Sequence, residues 1–274
     1  MKRITTVLYA MALMAMAGCD DSSENETETG MLSVETWGEE YIETGIPQTE
    51  FVDGYGITYN TFLVSISDIA VQSGENAAPA LQLPEQKVWD LTQTGPFEIG
   101  SGEVDAGDYA HTAYTIAPAA AAATAGNASA ADVQLMKDNG YSVYVVGSAT
   151  NGTDTYTFTW GFTTNTVYEP CHSTGTVSED AAGSIQLTIH GDHLFYDSAV
   201  SADPSLRFED LALADADADG DITPAELSAY LLAPLAYYMV PGDSGVENMW
   251  QYLSHMTTTL GHIDGEGHCE ITSM

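Results

Sequence analysis

The sequence predicts a mainly β protein, an antiparallel β-sandwich over residues 33–202 with a helical segment appended over 203–274. Three observations carry this. Short runs of alternating apolar and polar residues recur between turn signals from Ser33 to Ser198. One pair of runs forms an evident hairpin: Tyr156, Phe158, Trp160 and Phe162 alternate with Thr155, Thr157, Thr159 and Gly161, and Asn151-Gly152 supplies the reversal. After Asp203 the apolar spacing changes from two residues to about 3.6.

In chain order, Met1-Lys2-Arg3 and the apolar run over 4–17 have the form of an export signal, residues 1–18, too short to span a bilayer. Residues 19–32 read as a disordered tether, because 20–30 holds no apolar side chain to offset the entropy of ordering. Ile57, Tyr59 and then 62–71 form a largely buried strand, with 88–91 as a second. Residues 104–108 turn the chain into 109–116, where Ala110, Thr112, Tyr114 and Ile116 share a face. The alanine-rich stretch 118–131 fits a weak helix or a surface loop, followed by a helical turn over 132–138. In 184–189, Ile185, Leu187 and Ile189 point inward. Residues 205–214 and 224–233 make two short helices. Ser244-Gly245-Val246-Glu247 has the form of a capping box opening a third, whose stripe of Val246, Met249, Trp250, Leu253, Met256, Thr257 and Leu260 ends at Gly261 and leaves His255 exposed.

Charge narrows the partners. With 40 acidic residues against 5 Lys and Arg, and a formal net charge of −35, the chain repels nucleic acid and has no basic patch for anionic lipid. Such a balance suits a saline medium that screens self-repulsion.

Two stretches carry the strongest chemistry. Asp215-Ala216-Asp217-Ala218-Asp219-Gly220-Asp221-Ile222-Thr223-Pro224-Ala225-Glu226 places acids where a calcium ion needs alternate oxygens, with Gly220 for the bend, backbone carbonyls from Asp221 and Thr223, and Glu226 to close the shell. The stretch resembles an EF-hand loop, which implies calcium ligation by Asp215, Asp217, Asp219, Asp221, Thr223 and Glu226. Met16-Ala17-Gly18-Cys19 is similar to the lipobox of bacterial lipoproteins, implying acylation of Cys19 and attachment to a membrane through lipid. Asp20 directly after it resembles an inner-membrane retention signal whose use differs between bacteria, so inner and outer membrane both stay open. The chain as a whole resembles uncharacterised EF-hand-containing lipoproteins of environmental bacteria, and 62–69 is similar to a strand in periplasmic copper-binding proteins associated with methanobactin uptake, whose copper residues do not transfer here.

Apart from Cys19, Cys171 and Cys269 are the remaining cysteines, and an exported chain favours their pairing as a disulfide. That bridge would set His172 beside His268. In the tail, His262, Asp264, Glu266 and His268 recur every second residue, so an extended segment would turn them to one side. His190 and His193 are three apart, and a regular strand would point them opposite ways unless Gly191 makes a bulge. Imidazole with carboxylate suits zinc or copper, so His190, His193, His262 and His268 form a candidate transition-metal set. The rival for each is an ordinary hydrogen-bonded histidine near a sheet edge.

Catalytic motifs are weak. Gly242-Asp243-Ser244-Gly245 resembles the nucleophile segment of trypsin-like proteases, yet Ser244 reads better as a helix cap, and His111 lacks that family's context. No zinc-protease, phosphate-loop or nucleophile-elbow motif occurs. The expected function is an exported, lipid-anchored calcium-binding protein acting as a binding or structural module. A zinc or copper carrier using the histidines is the alternative, and a secreted hydrolase a second. A protein or glycan partner is not encoded in any motif.

Overall fold

The computed structural model describes residues 28–233, 235, 237–242 and 244–273, so the export signal, Cys19 and most of the tether lie outside the described residues. In chain order the elements are β1 (Thr29–Trp37), α1 (Glu39–Glu43), β2 (Gly56–Gln72), β3 (Leu81–Leu83), β4 (Lys87–Asp90), β5 (Phe97–Asp105), β6 (Gly107–Ile116), β7 (Thr124–Ala125) and α2 (Ala130–Asn139). They continue with β8 (Val143–Thr150), β9 (Thr155–Phe162), β10 (Thr166–Val177), β11 (Gly183–Ile189), α3 (Glu209–Ala212), β12 (Asp221–Ile222), α4 (Pro224–Ala229), α5 (Met249–Met256), β13 (Gly261–Ile263) and β14 (Cys269–Ser273). Short 3-10 turns cover Gly191–Phe195 and Thr257–Thr259. Mainly β with a small helical C-terminal part, this is the predicted class.

The strands form two sheets. The larger runs β12-β9-β8-β2-β6-β10-β14, with β3, β4 and β7 attached through β2 and β4; the smaller runs β13-β11-β1-β5. Alternation dictates which side chains fill the space between them. Phe158, Trp160 and Phe162 of β9 are buried, as are Ile185, Leu187 and Ile189 of β11, and all join one core with Phe195 and Phe208. The loop after β8 is held by Asn151, whose side-chain oxygen accepts from the backbone of Thr153 and Asp154. A second cluster under α2 gathers Leu63, Val88, Ala119, Ala123, Ala128, Val133 and Met136. The alanine-rich stretch is therefore a loop containing β7, and helix begins only at Ser129, which forms a capping box with Asp132.

Five expectations need correction. The tether does not reach residue 32: β1 begins at Thr29, and Leu32 is fully buried because β5 and β11 flank it on both edges. The sheets are mixed, not purely antiparallel, since β1 pairs β11, β4 pairs β7 and β9 pairs β12 in parallel. Strands this far apart in sequence are not bound by a hairpin, so their relative direction is free. Residues 203–274 are not a separate layer, because β12 and β14 join the larger sheet and β13 the smaller one. The last helix starts at Met249, with Asn248 as its cap, accepting from Gln251 N at 3.0 Å, and Ser244 lies outside it. His255 on this helix is half-buried, and burial holds its pKa below the ordinary value.

The disulfide is present as expected. Cys171 of β10 faces Cys269 of β14 in register, and His172 N donates to the His268 carbonyl beside it.

Candidate metal centre

Strand register builds the site. β1 and β11 run parallel with Trp37 opposite Thr188, so two residues further on Glu39 comes beside His190. β13 runs antiparallel to β11 with His262 opposite Thr188, and His190 N donates to the Leu260 carbonyl at 2.9 Å. Three adjacent strand ends thus deliver Glu39, His190 and His262 to one place. Gly261 is needed for the approach of β13: a Cβ there would lie 2.7 Å from Tyr168 Cζ, inside the ring it packs on.

His193 arrives by a different route from the bulge considered above. After His190 the chain enters a 3-10 turn, in which residues three apart eclipse, so His190 and His193 share a face. Gly191 permits the turn because its Cα sits against Ile42 and Tyr59, where a Cβ would meet Ile42 Cγ1 at 2.6 Å.

The three rings close on one point. Ring centroids are 4.3 Å apart for His190–His262, 5.0 Å for His193–His262 and 5.4 Å for His190–His193. One ring nitrogen from each lies within 4.8 Å of the other two, and Glu39, His190 and Glu266 form an overlapping set under the same limit. His268 stands at the rim, its ring 5.9 Å from that of His262. Three of the four predicted histidines therefore converge and the fourth borders them.

Hydrogen bonding leaves these nitrogens ready to ligate. Thr259 Oγ1 gives its hydrogen to the Met256 carbonyl at 2.9 Å, so at 3.1 Å it can only accept from His193 Nδ1–H. That fixes the tautomer and leaves the Nε2 lone pair of His193 free. His190 Nε2 and His262 Nδ1 are buried without a hydrogen-bond partner, and His190 is only 7% exposed. A buried polar atom without a partner is uncommon and calls for an explanation. A carboxylate is close: Glu39 Oε2 lies 3.7 Å from His190 Nε2, on a residue whose φ of 51° is unusual for a side chain of this kind.

Burial also sets the charge. It pushes His193 down to about 3 and His262 down to about 4, assisted by the neighbouring imidazoles, so both are neutral at pH 7. Burial raises Asp192 and Glu39 above the usual carboxylate range. Asp192 is 6% exposed, with one oxygen accepting from Tyr196 O–H at 2.8 Å and the other unpartnered. Tyr196 in turn packs on His193 with centroids 4.6 Å apart.

Asp264 departs from the expected tail geometry. Instead of an extended segment, Ile263 and Gly267 pair across a tight loop with positive φ at Asp264 and Gly265. The Asp264 carboxylate accepts from Thr174 N, Thr174 Oγ1 and Gln186 N at 2.7–2.9 Å, so it fastens the loop to β10 and β11. Glu266 is what the loop presents to the histidines.

The acidic loop forms a second centre. Asp215, Asp217 and Glu226 bring one oxygen each within 4.8 Å. Gly220 N donates to Asp215 Oδ2, Asp219 N to Asp217 Oδ1 and Asp221 N to Asp219 Oδ1, winding the loop around its acids. Asp215 Oδ1 is buried without a partner. Glu226 accepts from Ala216 N with one oxygen and from Thr223 N and Oγ1 with the other, and the Thr223 bonds hold its pKa low. Ile222 is fully buried in parallel contact with β9, and its carbonyl accepts from Trp160 Nε1 at 2.8 Å. The flanking helices are shorter than expected, Glu209–Ala212 and Pro224–Ala229.

Sequence reasoning missed Glu39, Asp192, Tyr196 and Thr259. Glu39 is visible only once β1 and β11 are paired, and Thr259 only once the 3-10 turn brings His193 against it. His111 and His172 face each other across β6 and β10, 5.5 Å between centroids, apart from the cluster. The chain matches no known protein family, and no curated protein or solved structure resembles it significantly, so its function has to be read from these residues.

Proposed function

We propose that this is an exported, lipid-anchored metal-binding protein whose working centre is a transition-metal site of His190, His193 and His262, with calcium in the 215–226 loop setting the C-terminal part of the fold. The observation that carries the first half is the convergence of three imidazoles, two of them with a buried, unpartnered ring nitrogen. Imidazole suits zinc and copper, and His193 and His262, held neutral at pH 7 by burial, need no proton removed before binding. Glu39 and Glu266 add negative charge close to His190. Calcium is the cation for the other loop because its donors are oxygens alone and carry the acid spacing of an EF-hand. A single loop with two short helices acts as a clamp rather than as an opening sensor. Its place between β9 and α4 lets a bound ion hold that junction.

The test is calorimetric titration of the metal-stripped chain, first with calcium and then with zinc. One calcium event followed by one zinc event, the latter strongly weakened in His193→Ala, is expected. Silence with zinc and with copper would remove the transition-metal reading and leave a calcium-stiffened structural module.

A further inference from the structure

The histidine cluster is one-sided. His190 lies at its back, buried under Glu39 and the 3-10 turn, while His193 and His262 form the inner wall of a cavity of about 380 Å³. The rest of that wall combines the apolar side chains of Ala199, Pro204 and Met256 with hydroxyls such as those of Tyr196 and Ser198, and exposed Glu266 and His268 complete it. Among the described residues, no lysine or arginine lines it. Since a water occupies about 30 Å³ of liquid, the space exceeds what a few bridging waters need.

Resting on the metal reading above, we infer that the three histidines leave an outward coordination position which takes a small neutral nitrogen donor, of imidazole size, from this cavity. A structural zinc site closes its tetrahedron with protein ligands, whereas a three-histidine set with two of its members on a cavity wall leaves a place for an exogenous one. Neutrality follows from charge. Glu39 and Glu266 near the cluster already offset the two positive charges of a bound divalent ion, and no basic side chain among the described residues of the lining adds to them, so a neutral lone pair is favoured over an anionic one. The apolar part of the wall, Ala199, Pro204 and Met256, accommodates the uncharged body of such a ligand. The site is then an exchangeable one, suited to passing metal or holding a metal-bound small molecule.

The experiment loads the full chain with Co(II) and follows its visible spectrum during titration with imidazole and, separately, azide. Imidazole should change the ligand-field bands, and azide should act at least about tenfold more weakly. In Glu266→Gln the gap between the two probes should narrow. In Ala199→Trp, which fills the cavity, Co(II) uptake should persist while the imidazole response is lost. Bound Co(II) whose spectrum answers neither probe would overturn the open position, as would azide binding more tightly than imidazole. Absence of Co(II) uptake would overturn the metal reading itself, and this inference with it.

Discussion

Replacing Thr259 by valine removes one oxygen that never touches the metal. In the structure that oxygen accepts from His193 Nδ1–H at 3.1 Å and donates to Met256. Valine keeps the volume but leaves the imidazole free to rotate and its N–H without an acceptor. Loss of such an outer partner typically weakens metal binding by about 10–100-fold. Thr259 and His193 are both half-buried, so water can replace part of the lost bond. We therefore expect the lower part of that range, about 10–30-fold or roughly 1.4–2 kcal/mol. Competition calorimetry with a zinc chelator measures it, and Thr259→Ser, which restores the acceptor, should recover most of the affinity. A valine variant that is folded and binds zinc within twofold of the parent would refute the assignment of Thr259 as the partner that orients His193.

Gly191→Val should lower the urea midpoint by the equivalent of about 1–3 kcal/mol and weaken zinc binding, because its side chain would have to displace Ile42 beneath the 3-10 turn. Asp217→Ala should abolish most of the calcium-dependent rise in melting temperature, which at calcium a hundredfold above its dissociation constant amounts to about 2.7 kcal/mol, or roughly 5–10 °C for a chain of this size. The metal-free protein should also show a specific pH dependence. His193 and His262 titrate near 3 and 4 when folded and near 6.5 when unfolded, so below about 6.5 the unfolded chain binds more protons. Their neutral burial is free of this penalty above about pH 6.5 and loses stability progressively as pH falls toward 4 and then 3. Because protonation of the many acids relieves repulsion over the same range, the readout is the difference from His193→Gln/His262→Gln: that variant should gain stability relative to the parent as pH is lowered from 7 to 4.5. A constant difference in urea midpoint would contradict the burial argument.

What could be read in the sequence is what short-range pattern controls. The β8–β9 hairpin follows from its aromatic alternation, and the acidic loop from its spacing, including the contact of Ile222 with a neighbouring strand. β10 was not legible because its inward positions include Thr166, Cys171, Ser173 and Gly175, small or polar groups that hide the period of two. Nor was the start of β1, where Thr29 and Gly30 continue the polar composition of the tether and Met31-Leu32 is too short a run to show a period before β5 and β11 bury Leu32. The histidines were visible as residues but not as a site. Their convergence depends on a 3-10 turn at Gly191 and on the parallel pairing of strands 150 residues apart, for which no local signal exists. Asp264 shows the reverse case: its place in the alternating tail suggested a ligand, and three hydrogen bonds to β10 and β11 occupy it structurally.

The most direct measurement is X-ray absorption at the zinc edge of the calcium-saturated, zinc-loaded chain. The account predicts a nitrogen and oxygen shell at about 2.0–2.1 Å containing three imidazoles, reduced by one in His262→Ala. A shell of oxygens alone, unchanged by that substitution, would contradict it and place zinc in the acidic loop or on the surface instead.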